Sequence, residues 1–268
     1  MAIKLIAVDM DGTFLNDQKT YNRSRFMEQY QEMKRQGIHF VVASGNQYAQ
    51  LASFFPEIAA EIAFVAENGA YVVNQQQDIF VGEMERAHIQ HTLKVLEQHA
   101  SIKVVLCGRN SAYIQAGESE AFFQYAQRYY HQLKRVEDLY QVEDTLFKFG
   151  LSVPENESSS ILAQLQLSIG QMLTPVSSGH GDMDLIIPGL HKATGIQRLQ
   201  KLWQVKDEET AAFGDNGNDL EMLAHVHASF AMANGSEAVK KTAKYQIASN
   251  NHDGVLATID QILVGKYV

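Results

Sequence analysis

The first strand and the turn that ends it constrain the fold more than any other stretch. Lys4 is followed by Leu-Ile-Ala-Val, and the apolar run stops at Asp9-Met10-Asp11-Gly12-Thr13. So short and unbroken a run implies a strand buried on both faces, as in a parallel sheet. Carboxylates at its carboxyl end stand where open α/β sheets hold their ligands. Asp9 and Asp11 are two residues apart, so extended backbone sends both side chains the same way. Gly12 lets the chain turn sharply away from them. Carboxylates that close repel each other unless a cation intervenes, which makes a bound metal their natural companion.

Downstream the periodicity alternates between strand and helix. Phe26, Met27, Tyr30 and Met33 recur at helical spacing, and Gly37 can end that helix. Residues 39–43 read as a buried strand ending in Ser44-Gly45-Asn46, and residues 62–66 as another ending in Glu67-Asn68-Gly69. Parallel pairing with right-handed crossovers follows. Apolar residues on either side of the polar NQQQD segment suggest a hairpin over 70–81. From 83 to 188 strands and helices mix in an α+β order. That stretch reads as a helix over 85–99, strands over 102–107 and 112–115, and an amphipathic helix over 118–134. Phe122, Tyr125, Tyr129 and Leu133 fall in line along the last of these. Strands follow over 146–153, 172–176 and 183–187, with a helix between the first two. Lys192 then opens a helix, and the strand at 210–213 ends in Gly214-Asp215-Asn216-Gly217-Asn218-Asp219. The expected fold is α/β: a Rossmann-like, doubly wound parallel-sheet core of residues 1–82 and 189–268, interrupted by an α+β cap of residues 83–188. Such an insert can act as a lid over the sheet edge.

The charge balance narrows the partners. The 268 residues carry a net charge of −9 and no basic run, which argues against a nucleic-acid surface. An anionic substrate must therefore be attracted locally. Cys107 is the only cysteine, so no intrachain disulfide is possible, in keeping with a reducing compartment. The first residues do not resemble a signal peptide, and no apolar stretch approaches the roughly 20 residues needed to span a bilayer. The expectation is a soluble, cytoplasmic protein without membrane partners.

Four segments converge on the carboxyl edge of this sheet. Asp9, Asp215 and the backbone carbonyl of Asp11 suit Mg²⁺, which favours a few oxygen ligands and retained waters. Asp219 suits a place behind them, holding metal-bound waters. The Ser44 hydroxyl, Gly45 N–H, Lys192 ammonium and Asn218 amide suit a phosphate near helix amino ends. A carboxylate beside a phosphate can attack phosphorus. A second one can protonate the leaving alkoxide and then activate water.

DMDGT at 9–13, Ser44-Gly45, Lys192 and GDNGNDLEML at 214–223 resemble, in order, the four motifs of the haloacid-dehalogenase-like phosphatases. The resemblance covers essentially the whole chain. The position of the insert is similar to that in Cof-type members with an α+β cap of type IIB, bacterial sugar phosphatases among them. The resemblance implies Asp9 as nucleophile and Asp11 as general acid/base. It implies Mg²⁺ held by Asp9, Asp11 and Asp215, and phosphate held by Ser44, Gly45, Lys192 and Asn218. It further implies hydrolysis of small phosphomonoesters, sugar phosphates first, with flavin or pyridoxal phosphates as alternatives. Two positions depart from the pattern. Asn46 stands where many relatives carry a cation, and Ala193 follows the lysine where glycine is usual.

Other features read as structure. Asp182 and Asp184 form a second D-x-D, but they precede an apolar strand, so Asp184 reads as a strand-start residue. Residues 177–181 (SSGHG) fit a cap loop or a plain turn. His225 and His227 fit a surface or helix-end role better than a metal pair. The tyrosines of 125–130 fit a packed helix. Two readings from other classes are a phospho-aspartate regulator of the receiver type, normally about half this length, and a phosphosugar-binding protein without turnover.

Overall fold

The computed structural model describes residues 2–179 and 182–267, the side chains of Ser177, Ser178 and Gly179 excepted. Five strands come first: β1 (Leu5–Val8), β2 (His39–Ala43), β3 (Ala63–Ala66), β4 (Tyr71–Asn74) and β5 (Gln77–Val81). Next come β6 (Lys103–Gly108), β7 (Ala112–Gln115), β8 (Leu133–Val136), β9 (Leu146–Ser152), β10 (Thr174–Gly179) and β11 (Asp182–Ile186). The chain then returns to its first sheet with β12 (Thr210–Gly214), β13 (Ala228–Met232) and β14 (Tyr245–Ile247). The first sheet has the order β14-β13-β12-β1-β2-β3-β4-β5, and the second β10-β11-β9-β6-β7-β8.

β1 lies between β12 and β2 and runs parallel to both, with Val8 opposite Phe213 on one side and Val42 on the other. Its apolar run is unbroken because both faces are covered. Ile6 and Val8 join a cluster with Phe26, Tyr30, Phe40, Val42, Phe213 and Ile259. Leu5 and Ala7 join Val41, Ala43, Ile196, Leu199 and Met222 on the opposite side. Helices Arg23–Gln36 and Gly254–Leu263 therefore cover one face, and Lys192–Trp203 and Leu220–His225 the other. This is the doubly wound arrangement. The sheet is parallel from β14 to β3, while β4 and β5 form an antiparallel hairpin at its end.

The second sheet is the α+β cap. Leu106, Phe149, Leu151, Met183 and Leu185 pack one of its faces against helices Arg86–Leu96 and Ser158–Ile169. On the other face, Phe122 and Ala126 of helix Glu120–Ala126 cover Val105, Cys107, Ala112 and Ile114. The remainder of that face, along β9 and β11, looks toward the carboxyl edge of the first sheet.

Two expectations need correction. The amphipathic helix expected over 118–134 is only Glu120–Ala126, and Leu133 begins strand β8, which pairs parallel with β7. The aromatic spacing continues past the helix because Tyr129 and Tyr130 line a cavity together with Tyr125. Asp184 does not start its strand. It lies mid-β11, opposite Gly150, and is only 7% exposed. Of the SSGHG segment, Ser177–Gly179 end β10, while His180 and Gly181 lie outside the described residues. His225 closes a short helix and bonds Gln200, as a helix-end residue does. Among the described residues no helix is long and apolar enough to cross a membrane.

Candidate active site

The adjacency of β12, β1 and β2 brings the residues after them together. Asp9 follows β1 and its amide donates to Phe213 O at 3.1 Å. Asp215 follows β12, and Ser44 follows β2. Gly12 turns the chain with φ +77°, and a Cβ there would meet Asp215 Oδ2 at 2.5 Å. Glycine is therefore required twice over, by backbone and by space. Thr13 Oγ1 donates to Asp215 Oδ1 at 2.8 Å and fixes that carboxylate beneath the turn.

Lys192 enters from the opening of its helix, capped by His191, and is 1% exposed. Its Nζ lies 2.6 Å from Asp9 Oδ1 and 2.6 Å from Asp219 Oδ1. The other Asp219 oxygen accepts the amides of Asp215 (2.9 Å) and Asn216 (3.0 Å). Asp219 thus ties the lysine to the loop carrying Asp215. Asn218 donates from Nδ2 to Asn68 Oδ1 at 3.2 Å.

The electrostatics of this cluster are unbalanced. Asp9, Asp215 and Asp219 each place a carboxylate oxygen within 4.8 Å of the others. One buried ammonium faces these three acids, leaving a deficit of about two positive charges that burial makes costly. Burial pushes the Asp9 carboxyl well above its ordinary range despite the pull of Lys192, and Asp219 and Asp215 push it further. Asp215 is pushed up to about 6, by burial first and by Asp219 next. Burial pulls the Lys192 ammonium down, but Asp219 and Asp9 outweigh it and hold the group above its usual range. Hard oxygen donors short of two positive charges fit a divalent cation such as Mg²⁺.

Asp11 stands apart from that cluster. Its Oδ1 accepts Lys19 Nζ at 2.5 Å and its Oδ2 accepts Asn46 Nδ2 at 2.6 Å. Asn46 thus grips the second carboxylate of the D-x-D. Above these groups lies a cavity of about 280 Å³. Asp9, Asp11, Ser44, Gly45 and Asn218 form its floor, and Tyr125, Tyr129, Tyr130, Lys148, Asp182 and Asp184 of the cap form its wall and ceiling. Tyr125 and Tyr129 stand 5.6 Å apart at 59°, and the Tyr125 hydroxyl donates to Asp182 Oδ2 at 3.1 Å. Gly150 leaves space for the Tyr130 hydroxyl, which would lie 2.3 Å from a Cβ at that position.

A family model for haloacid dehalogenase-like hydrolases matches residues 6–259. The chain belongs to this family. Its inserted cap makes it a Cof-type haloacid dehalogenase-like phosphatase, a phosphoric monoester hydrolase. One relative is the 5-amino-6-(5-phospho-D-ribitylamino)uracil phosphatase YbjI of Escherichia coli K12. It is 52% identical over 263 residues, covering 98% of this chain and 97% of the relative. YitU of Bacillus subtilis, named for the same substrate, is 27% identical over 94% of each chain. The crystal structure of SMU.1108c from Streptococcus mutans UA159 matches with a TM-score of 0.93 at 36% identity, covering 98% of this chain and 100% of that one.

In this haloacid dehalogenase-like phosphatase, Asp9, Asp215, Lys192 and Asp219 form one bonded cluster, and Asp11, Ser44, Gly45 and Asn218 line the cavity beside it. The Asp11 carboxylate lies outside the group of three acids. Lys19, Asn46, Lys148, Asp184, Glu67 and Asn68 escaped sequence reasoning. A signal for part of this set was present. Along β9 the large apolar residues Phe147, Phe149 and Leu151 alternate with Lys148, Gly150 and Ser152, and β11 alternates Met183 and Leu185 with Asp182 and Asp184. That period of two marks a polar face on a buried strand, and such a face needs polar partners.

Proposed function

We propose that the protein hydrolyses small phosphomonoesters with Mg²⁺, and that its preferred ester is a phosphorylated sugar alcohol bearing an amino-substituted pyrimidine. The observation that carries the chemistry is the buried set of Asp9, Asp215 and Asp219 around Lys192, open to a capped cavity. The leaving group is inferred from the relative at 52% identity, whose named substrate is a ribityl phosphate on an aminouracil. That ester keeps the polyol phosphate expected of a sugar phosphatase and adds a planar ring. The tilted Tyr125 and Tyr129 rings offer such a ring an aromatic wall, and the Asp182 carboxylate offers its amino groups an acceptor.

In this reading Ser44, the Gly45 N–H, Lys192 and Asn218 hold the phosphate. Asp9 attacks phosphorus as the ester P–O bond breaks, and Asp11 gives its proton to the departing alkoxide. Asp11 then takes a proton from water as the water oxygen bonds to phosphorus and the Asp9–phosphorus link breaks. Lys19 and Asn46 keep both Asp11 oxygens aimed during these transfers. Lys192 holds Asp9 Oδ1 in place and balances part of the charge that grows on the phosphoryl oxygens. Asp9, Asp215 and the Asp11 backbone carbonyl would hold the metal, with Asp219 fixing the loop behind them. Bound Mg²⁺ supplies charge neutralisation at the phosphoryl group and between the acids.

Phosphate release from a panel of esters tests the reading. The ribitylaminouracil phosphate should exceed hexose 6-phosphates by about tenfold or more in kcat/KM. Chelation of metal should cost about a hundredfold or more. Equal efficiency on both esters would remove the ring from the proposal, and metal-independent turnover would remove Mg²⁺.

The raised acids also predict a stability effect. Asp9 and Asp215 bind protons more tightly folded than unfolded. Between the ordinary 3.8 of Asp215 and its raised value of about 6, the folded state therefore holds more protons, and rising pH weakens the metal-free fold. Saturating magnesium should accordingly raise the melting temperature more at about pH 7.5 than at about pH 5, where protons already neutralise the acids. An increment independent of pH, read by calorimetry, would contradict the metal assignment.

A further inference from the structure

The phosphate loop at Ser44–Asn46 is held from two sides, and one of those sides belongs to the cap. From the core, the Asn68 amide donates to Ser44 O at 3.0 Å and the Glu67 amide to Asn46 O at 3.2 Å. From the cap, Lys148 reaches down from β9 and donates to Gly45 O at 2.5 Å. Lys148 is only 2% exposed, and its Nζ also lies 3.0 Å from both Asp184 oxygens and 3.2 Å from Glu67 Oε2. Asp184 in turn accepts Asn68 Nδ2 at 2.6 Å, and Asn68 accepts Asn218 Nδ2 at 3.2 Å. Every group in this chain of contacts borders the loop or the cavity that the loop helps to line.

The peptide planes give the contacts a purpose. Ser44 C=O and Gly45 N–H share one trans plane and point in opposite directions. Asn68, by holding Ser44 O, aims Gly45 N–H away from itself. Gly45 C=O and Asn46 N–H share the next plane. There Lys148 holds the carbonyl, and the Asn46 amide donates to Ser44 Oγ at 3.2 Å. Glu67 and Asn68 adopt left-handed backbone, with φ of 51° and 54°, which non-glycine residues take only when their surroundings enforce it. The amide bonds of Glu67 and Asn68 to the loop and the Lys148–Asp184–Asn68 contacts surround them in that conformation. Burial also lifts the Glu67 carboxyl to about 7, so this second acid can carry a proton while Asp184 pairs with the lysine.

We infer that Lys148, paired with Asp184, is a positioning residue: the cap lysine completes the core's phosphate subsite, so the anion is held fully only when the cap is seated. This rests on the proposed reading of Ser44, Gly45 and Asn218 as phosphate contacts. A lysine serving only to recognise the leaving group would aim at the cavity and leave the loop carbonyl to another donor. Here hydrogen bonds from Nζ to Gly45 O and to Asp184 anchor the ammonium to the loop, with the Glu67 carboxyl alongside at 3.2 Å.

The test is Lys148→Met, measured with inorganic phosphate and with a small aryl phosphate whose leaving group is too short to need the cap. Inorganic phosphate binding, followed by calorimetry with Mg²⁺, should weaken by about tenfold or more, and KM for the aryl ester should rise by a similar factor. Saturating kcat should fall by less than about threefold, because Asp9 and Asp11 are untouched. Removing the lysine leaves Asp184 buried without its cation, so a second variant, Lys148→Met with Asp184→Asn, keeps the region neutral once Glu67 is protonated. It should melt within a few degrees of wild type and show the same weakened phosphate binding. If either folded variant binds phosphate within about twofold of wild type, the inference fails, while wild-type turnover leaves the proposed function standing. A wild-type protein that neither binds phosphate nor turns over ester would end both.

Discussion

Asp9→Asn should abolish phosphate release, by on the order of 10⁴-fold or more, while the metal-free fold holds or gains stability. The substitution is nearly isosteric and lies at a position only 5% exposed, so packing is preserved. The amide oxygen can keep the contact with Lys192 Nζ, now 2.6 Å from Asp9 Oδ1. What changes is charge and nucleophilicity. One of three clustered acids becomes neutral, so the surviving Lys192–Asp219 pair is better balanced, and no carboxylate remains to attack phosphorus. Steady-state assay together with thermal melting in chelator separates the two effects. Near-wild-type turnover would displace Asp9 from the nucleophile role, and a large loss of stability would mean that the ionised carboxylate is better compensated in the fold than its burial and its acidic neighbours imply.

Lys192→Met should do the opposite to the fold. It removes the buried ammonium and leaves Asp9, Asp215 and Asp219 facing one another. Breaking a buried pair from one side costs about 3–5 kcal/mol. Proton uptake by the acids offers an escape, so the loss should be smaller at about pH 5 than at about pH 7.5. Turnover should fall by about 10²–10³-fold, the scale for deleting one preorganised charge at a reacting centre. Denaturant titration in chelator and in magnesium reads the stability, and magnesium should restore part of it. A variant with wild-type stability and no pH dependence would show the acids to be compensated elsewhere.

The core was legible because parallel strands impose simple rules. Residues 5–8, 40–43 and 210–213 had to be buried on both faces, and such strands lie side by side with their ligand groups at one edge. The motif order then joined Asp9, Lys192 and Asp215 across some 200 residues of sequence. The cap was less legible because its working surface is defined by a partner that lies far away along the chain. Phe122, Tyr125 and Tyr129 have the spacing of a helix face, yet the helix ends at Ala126 and the following turn aims its aromatics at a cavity. Asp184 looked like the start of a strand because nothing nearby explains a buried acid. Its explanation is Lys148, Asn68 and the loop at Gly45, none of them local. Asn46 looked like a lost cation, whereas its amide occupies one oxygen of Asp11 and Lys19 supplies the charge at the other.

The alternation along β9 and β11 separates tasks that most binding walls must combine. Phe149, Leu151, Met183 and Leu185 anchor the strands from behind, and Gly150, Ser152 and Asp182 meet whatever enters the cavity. Side chains at 152 and 182 are therefore open to exchange without disturbing the anchoring layer, while Gly150 is held to glycine by the Tyr130 hydroxyl, so one scaffold can be retuned toward new esters at those two positions.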